Sequence, residues 1–360
     1  PEPTISPLNG DQPVDHFNTI TWTGSSNSAA RSFTGVGFKP EWVWAKTRSE
    51  AGNWVTFDNI RGTASNKGLA TNSTGAEDGI ETSKYGYISS FDADGFSSGQ
   101  GSASGNENLY FNKNTETFVA WNWKAANSTG STNEDGATDS TVSVNQEAGF
   151  SIIKYTGTGS ATTYGHGLGV APSVLIIKCL SQGSTSWIVY HKSQGATKCL
   201  FMEGAQAVAT TSATFNNTEP TSSVFTVNTS SSVNTSTEAY ICYAFAEVEG
   251  YSKFGTSTGN GNADGTFVYT GFRPALVIGK PTTTYNYVAY DNKRSPINPV
   301  KGLLYPGQNY AENTGAARVD FLSNGYKYLE SGNDNGNGLV TCFMAFAEMP
   351  FKYATARSTT

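Results

Sequence analysis

The stretch "GFKPEWVWAK", Gly37–Lys46, recurs as "GVAPSVLIIK", Gly169–Lys178, and as "GFRPALVIGK", Gly271–Lys280. Each copy reads Gly, apolar, any, Pro, any, three apolar residues, a small or apolar residue, Lys. The place of Trp42 is taken by Val174 and Leu276, and that of Trp44 by Ile176 and Ile278. A site that accepts Trp, Val, Leu or Ile asks for apolar bulk, so the tryptophans are expected in a core and not as a sugar platform. Gly-x-x-Pro is the turn that admits a strand, with Pro fixing φ at its entry. The closing Lys is expected to mark the return to solvent.

The surroundings repeat as well. Before the copies lie "NTITWTG" from Asn18, "SIIKYTG" from Ser151 and "KFGTSTG" from Lys253; after them come "WVTFD" from Trp54, "WIVYH" from Trp187 and "YVAYD" from Tyr287. Each unit closes on an apolar strand: "FVAWNWKA" at Phe118, "YICYAFAE" at Tyr240 and "TCFMAFAE" at Thr341. The period, roughly a hundred residues, is that of a domain and not of a solenoid rung. The alternation in "WVTFD" and "YVAYD" predicts half-buried antiparallel strands.

Composition agrees. Charged residues are 14% against about a quarter in ordinary domains, aromatics are 12%, and Gly numbers 39. Short strands with polar turns follow, and the fold class expected is all-β, with three tandem β-sandwich (jelly-roll or lectin-like) domains. The division is an extended arm at 1–15, repeats at 16–126, 148–249 and 250–350, a polar linker at 127–147, and a tail at 351–360. The one helical turn expected lies near Met349–Ala356.

Several functions are disfavoured by the same reading. A net charge of −6 gives no footprint for nucleic acid, and no apolar run is long enough for a membrane span. The first residues show no charged, apolar and small-residue signal pattern, and the start at Pro1 is expected to reflect loss of an initiator Met. Cys179, Cys199, Cys242 and Cys342 form no C-x-x-C pair and lack histidines at ligand spacing, so free buried thiols are expected, with no metal and no cofactor.

Candidate chemistry is sparse. Asp92 and Asp94 in "SFDADGF" could be paired carboxylates or part of a calcium loop, but the third unit keeps the turn as "LSNGY" without the acids, so a turn-shaping role is expected. Asp58 and Arg61 recur as Asp291 and Arg294, and read as an ion pair or turn pin beside a strand end. His191 takes the same position in the second unit as a strand-end polar residue. His166 lies in a Gly-rich turn, with no nucleophile elbow in the chain. For ligand binding the candidates are aromatics that break the repeat: Tyr285, Tyr305 and Tyr310 in the third unit, Tyr85 and Tyr87 in the first.

In combination, "HFNTITWTG", "TGVGFKPEWVWAK", "WVTFDNIRG", "YGHGLGVAPSVLIIK" and "CFMAFAEMPFKYATAR" resemble repeat domains of tailed-bacteriophage virion proteins, notably of marine and cyanobacterial phages. The resemblance implies a structural, tail-fibre-like protein of the virion, assembled in the host cytoplasm, with a lectin-like sandwich fold and no catalytic residues to carry over. The expected role is non-enzymatic display with host attachment through a surface glycan or protein. The alternatives are a capsid-decorating (cement or head-fibre) protein and a glycan-degrading tailspike enzyme. The partners expected are other virion proteins, reached through the N-terminal arm, and further copies of the chain, a trimer among the symmetric possibilities.

Overall fold

The computed structural model describes residues 2–355, the side chain of residue 333 excepted; Pro1 of the arm and 356–360 of the tail lie outside the described residues. The first unit carries β1 (Phe17–Thr23), β2 (Arg31–Thr34), β3 (Trp42–Thr47), β4 (Trp54–Asp58), β5 (Leu69–Ala70), β6 (Tyr87–Asp92), β7 (Gly95–Gly99) and β8 (Thr117–Trp123). The second carries β9 (Ser131–Asn133), β10 (Ser140–Asn145), β11 (Phe150–Thr156), β12 (Thr162–Gly165), β13 (Val174–Cys179), β14 (Ile188–His191), β15 (Lys198–Phe201), β16 (Ala209–Thr210), β17 (Val224–Val227) and β18 (Ala239–Phe245). The third carries β19 (Ser252–Thr258), β20 (Phe267–Tyr269), β21 (Phe272–Pro281), β22 (Val288–Asp291), β23 (Val319–Leu322), β24 (Gly325–Tyr328) and β25 (Val340–Pro350).

The protein is all-β, its paired strands antiparallel, and the repeat holds at the level of topology. The larger sheets run β1-β8-β3-β4-β5, then β11-β18-β13-β14-β15 inside an eight-stranded sheet, then β19-β25-β21-β22. In each, the opening strand lies beside the closing strand, and the motif strand lies on that strand's other side. The smaller sheets are β2-β7-β6, β12-β17 and β20-β24-β23.

The motif glycines explain the first residue of the repeat. Gly37, Gly169 and Gly271 have φ of 90°, 75° and 85°, a left-handed conformation that L side chains rarely adopt. The three apolar residues in a row have a different cause from ordinary alternation: the motif strand is buried on both faces. Val43 and Ala45 point into the first unit's own core, whereas Trp42 and Trp44 enter a second cluster fed by all three units. There Trp42 stacks on Tyr243 at 4.1 Å and 15°, and Trp123 meets Phe346 edge-on at 5.5 Å. Ile176, Trp187, Ile278, Tyr287 and Met344 belong to the same cluster. The units are therefore fused through the outer faces of their larger sheets. This overturns the half-buried reading of "WVTFD" and "YVAYD": β4 and β22 are buried along their whole length, because a neighbouring unit covers the face expected to meet water.

A ring of polar pins holds the units in register. Tyr243 of β18 donates to Asp58 Oδ2 at the end of β4 (2.8 Å), and Trp121 Nε1 of β8 donates to Asp291 Oδ2 at the end of β22 (3.1 Å). His191 Nε2, at the end of β14, lies 3.2 Å from the Phe343 carbonyl of β25. The first unit thus contacts the closing strand of the second, the second that of the third, and the third that of the first. Asp58 and Asp291 also pair with Arg61 and Arg294, all four side chains being fully buried. The turn-pin reading understated them, since they also join units.

The closing lysines correct another expectation. Lys46, Lys178 and Lys280 are buried. Their ammonium groups donate to carbonyls at the strand end or in the loop that follows: to Thr47 O at 2.7 Å, Thr185 O at 2.7 Å and Pro281 O at 2.8 Å. Burial lowers each to about 8.

The arm expected to be extended instead makes two 3-10 turns, at Pro7–Asn9 and Pro13–Asp15, and folds back on its own chain. Ile5 is fully buried in the shared cluster, and Glu2 pairs with Lys352. An apolar side chain with a cavity to fill outweighs the extended bias of the prolines. The polar linker is likewise structured: β10 pairs with β11, Val142 opposite Ile153, because "STVSVN" alternates branched apolar and polar residues despite its composition. Three single-turn helices, α1 (Thr82–Tyr85), α2 (Leu109–Asn112) and α3 (Ser231–Asn234), escaped a reading that placed the one turn near Met349–Ala356, where a 3-10 turn spans Phe351–Tyr353. All four cysteines are free and buried.

Candidate functional site

Tyr285 and Tyr305 line one cavity of about 100 Å³, together with Pro281, Asn286, Val288 and Asp334. The loop before β22 brings Tyr285 and Asn286, and the segment after it brings Tyr305 and Tyr310. Tyr310 meets Tyr305 edge-on at 5.7 Å and 77°. Tyr285 and Tyr310 are about half exposed, with relative areas of 47% and 50%. Gln308 Nε2 donates to Asn286 Oδ1 at 3.0 Å and fixes the amide.

Asp334 supplies a carboxyl group. Its carboxyl is buried, Oδ2 accepts from Tyr290 Oη at 3.4 Å, and Oδ1 has no hydrogen-bond partner. Burial first, and Glu330 next, push it up to about 7. Aromatic faces beside an amide and an unsatisfied carboxyl oxygen suit a polyhydroxylated ligand, whose C–H faces pack on rings while its hydroxyls donate.

The other candidates separate from this place. Tyr85 packs against Tyr110 at 6.2 Å in the first unit. Tyr87 is half-buried against that unit's own core. Asp92 accepts from Ser90 and Ser97 hydroxyls at 2.7 and 2.6 Å. Asp94 accepts from the Gly35 and Gly37 amides at 3.1 and 2.6 Å, so it pins the turn that opens the motif. Both nitrogens of His166 are engaged, with Thr221 O and the Leu168 amide, and burial lowers its pKa. Asp11, His16 and Glu147 bring ligand atoms within 4.8 Å of one another, but His16 already bonds Asp11 and Asn145.

Sequence reading missed a second place. A groove of about 580 Å³ lies between the arm and the third unit, walled by Tyr269 and Phe351, with Glu249, Lys253 and Thr270 along it. A neighbouring groove of about 420 Å³ runs between β19 and β20 past Phe267. The signal was present in "TFVYTG": in β20 the exposure alternates out-in-out, which puts Phe267 and Tyr269 on the phase that normally carries polar residues. Every exposed large aromatic among the described residues lies between Phe267 and Phe351.

Fold and site together define an all-β protein of three fused repeats whose exposed aromatics, among the described residues, are confined to the third repeat and the tail beside it. Residues 12–350 match a family described as a domain of unknown function (DUF7483), and the chain belongs to that family. The match takes in all three repeats as one piece, as a shared core requires. No curated protein and no solved structure matches the chain. No helix among the described residues is long and apolar enough to cross a membrane.

Proposed function

We propose that the protein is a non-enzymatic structural component of a phage virion, displayed on the particle and binding the host surface in the manner of a tail-fibre adhesin. Each repeat is then a jelly-roll or lectin-like sandwich, and the third is the recognition unit. The observation that carries this reading is the Tyr285–Tyr305–Tyr310 group around Asn286 and Asp334, an aromatic and acceptor set of the kind that holds sugars. The resemblance to virion repeat domains supports the setting. The absence of a catalytic role is supported by how Asp92, Asp94, His166 and His191 are spent on internal hydrogen bonds.

The test is to locate the protein in purified particles by reconstruction and to measure glycan binding by the isolated chain. Copies at the tail or a vertex, together with binding to bacterial surface polysaccharide, are expected. One copy on every capsomer without glycan binding would favour a capsid-decorating role. Release of reducing sugar ends, lost on Asp92→Asn or Asp94→Asn, would favour a tailspike enzyme.

A further inference from the structure

The three opening strands occupy the same place, and they differ at two inward-facing positions. Phe17 lies opposite Trp123, Phe150 opposite Phe245 and Ser252 opposite Phe346, so Ile20, Ile153 and Gly255 are equivalent, as are Trp22, Tyr155 and Ser257. In the first unit the mouth between the opening strand and the smaller sheet is closed by Trp22, which stacks on Phe118 at 5.4 Å and packs on Phe33 at 4.5 Å. In the second it is closed by an added strand. β10 pairs with β11, and Ser140 Oγ donates to Gly165 O of β12 at 2.7 Å, so one segment spans both sheets and buries Val142.

In the third unit neither closure is present. Gly255 and Ser257 supply no bulk, and the groove of about 420 Å³ opens at that position, lined by Thr266, Val268 and Phe343. β19 is an edge strand whose one strand partner among the described residues is β25. The Phe254 amide points off that edge, to Glu247 Oε2 at 3.3 Å, and Thr258 O takes the Thr266 hydroxyl at 2.8 Å; Thr256, midway between them, faces the same way and is exposed. The Phe343 ring packs against Gly255 and forms the floor of the groove, and an open edge beside such a groove, walled by Phe267 and Val268, is the arrangement that accepts a strand from another chain.

We propose that the β19–β20 groove receives an extended strand donated by another protein, running antiparallel to β19. Its alternating side chains are small polar and branched apolar, with an apolar residue opposite Gly255 as Val142 stands opposite Ile153. The proposal stands apart from the host-binding reading, because β19 and β22, beside which the tyrosine group lies, are opposite edges of one sheet.

The chain's own closing segment provides the probe. A synthetic peptide of residues 136–145, GATDSTVSVN, is added to the full-length protein, and amide hydrogen exchange is followed along β19. Exchange at Thr256 is expected to slow about tenfold at saturation, with no protection from a peptide carrying V142D; in the Thr256→Pro protein, which has no amide at that position, the Thr258 amide is expected to stay unprotected. The peptide substitution keeps the test intact if Thr256→Pro unfolds. Absence of protection at millimolar peptide, or equal protection by the V142D peptide, would overturn the proposal. Protection of the same amides by self-association, without peptide, would also overturn it, because the occupant would then be a second copy.

Discussion

Tyr243 of the second repeat donates its hydroxyl proton to Asp58 of the first across 2.8 Å, and both side chains are buried. The bond ties the fused core to the Asp58–Arg61 pair. Tyr243→Phe removes one donor from a buried carboxylate and is expected to cost about 1–3 kcal/mol. Asp58→Ala, which leaves Arg61 buried without its main partner, is expected to cost about 3–5 kcal/mol. Urea unfolding of the two variants and their double mutant measures both costs and their coupling; additive effects would break the proposed link.

A shared core also predicts cooperativity. Trp42 touches side chains of two repeats, so Trp42→Ala is expected to cost about 3–5 kcal/mol and to shift the whole transition. Tryptophan fluorescence and far-UV dichroism should give coincident curves. Separate transitions, with the third repeat unaffected by the substitution, would show independent domains.

The N-terminal arm belongs to that core through Ile5. Ile5→Ala is expected to cost about 2–5 kcal/mol, and deletion of residues 1–15 at least as much. Thermal unfolding checks this; an unchanged midpoint would mean that the arm is dispensable for folding.

The buried lysines set an alkaline signature. Their pKa falls from 10.5 in the unfolded chain to about 8 in the fold, chiefly through burial. Between those values the unfolded state binds more protons, so stability rises with pH, by up to about 1.4 kcal/mol per pH unit for each lysine. The contribution is fully present above 10.5 and lost as pH falls through about 8. Urea midpoints from pH 8 to 9 should rise, with a shallower slope in Lys178→Met. The buried thiols of Cys199, Cys242 and Cys342, whose pKa burial raises from 9.0, oppose the trend above pH 9, and buried tyrosines such as Tyr155 oppose it beyond pH 10.

His191 contributes to the acid limb, together with His166, whose pKa burial also lowers. Burial lowers His191 from 6.5 to about 4, so its contribution is present above 6.5 and lost as pH falls toward 4. His191→Gln should flatten that part of the stability profile; an unchanged slope would exclude His191 as its source.

The repeat made the fold readable: Gly37, Pro40 and the apolar triplet mark the same turn and strand three times, and strand order follows the repeat. What escaped the sequence was which faces meet. A run such as "WVW" is apolar whether its second face meets a partner repeat or only tolerates bulk, and Lys46 reads as solvated because the carbonyls that hold it come from local loop geometry. The site was legible in part. Tyr285, Tyr305 and Tyr310 stood out as departures from the repeat, and they converge. Asp334 did not, since its role depends on burial 29 residues from Tyr305 in sequence. Tyr85 and Tyr87 also depart from the repeat, and they lie in the first unit, apart from that group.

The central claim is that the third repeat recognises a host glycan through its tyrosine group. The direct measurement is binding of the purified chain to an array of bacterial surface polysaccharides, beside the Tyr285→Ala, Tyr305→Ala, Tyr310→Ala triple variant shown to be folded by its urea midpoint. Selective binding by the native chain, weakened at least about tenfold in the variant, is the predicted result. Binding that survives the triple substitution unchanged, or binding to none of the polysaccharides, would contradict it.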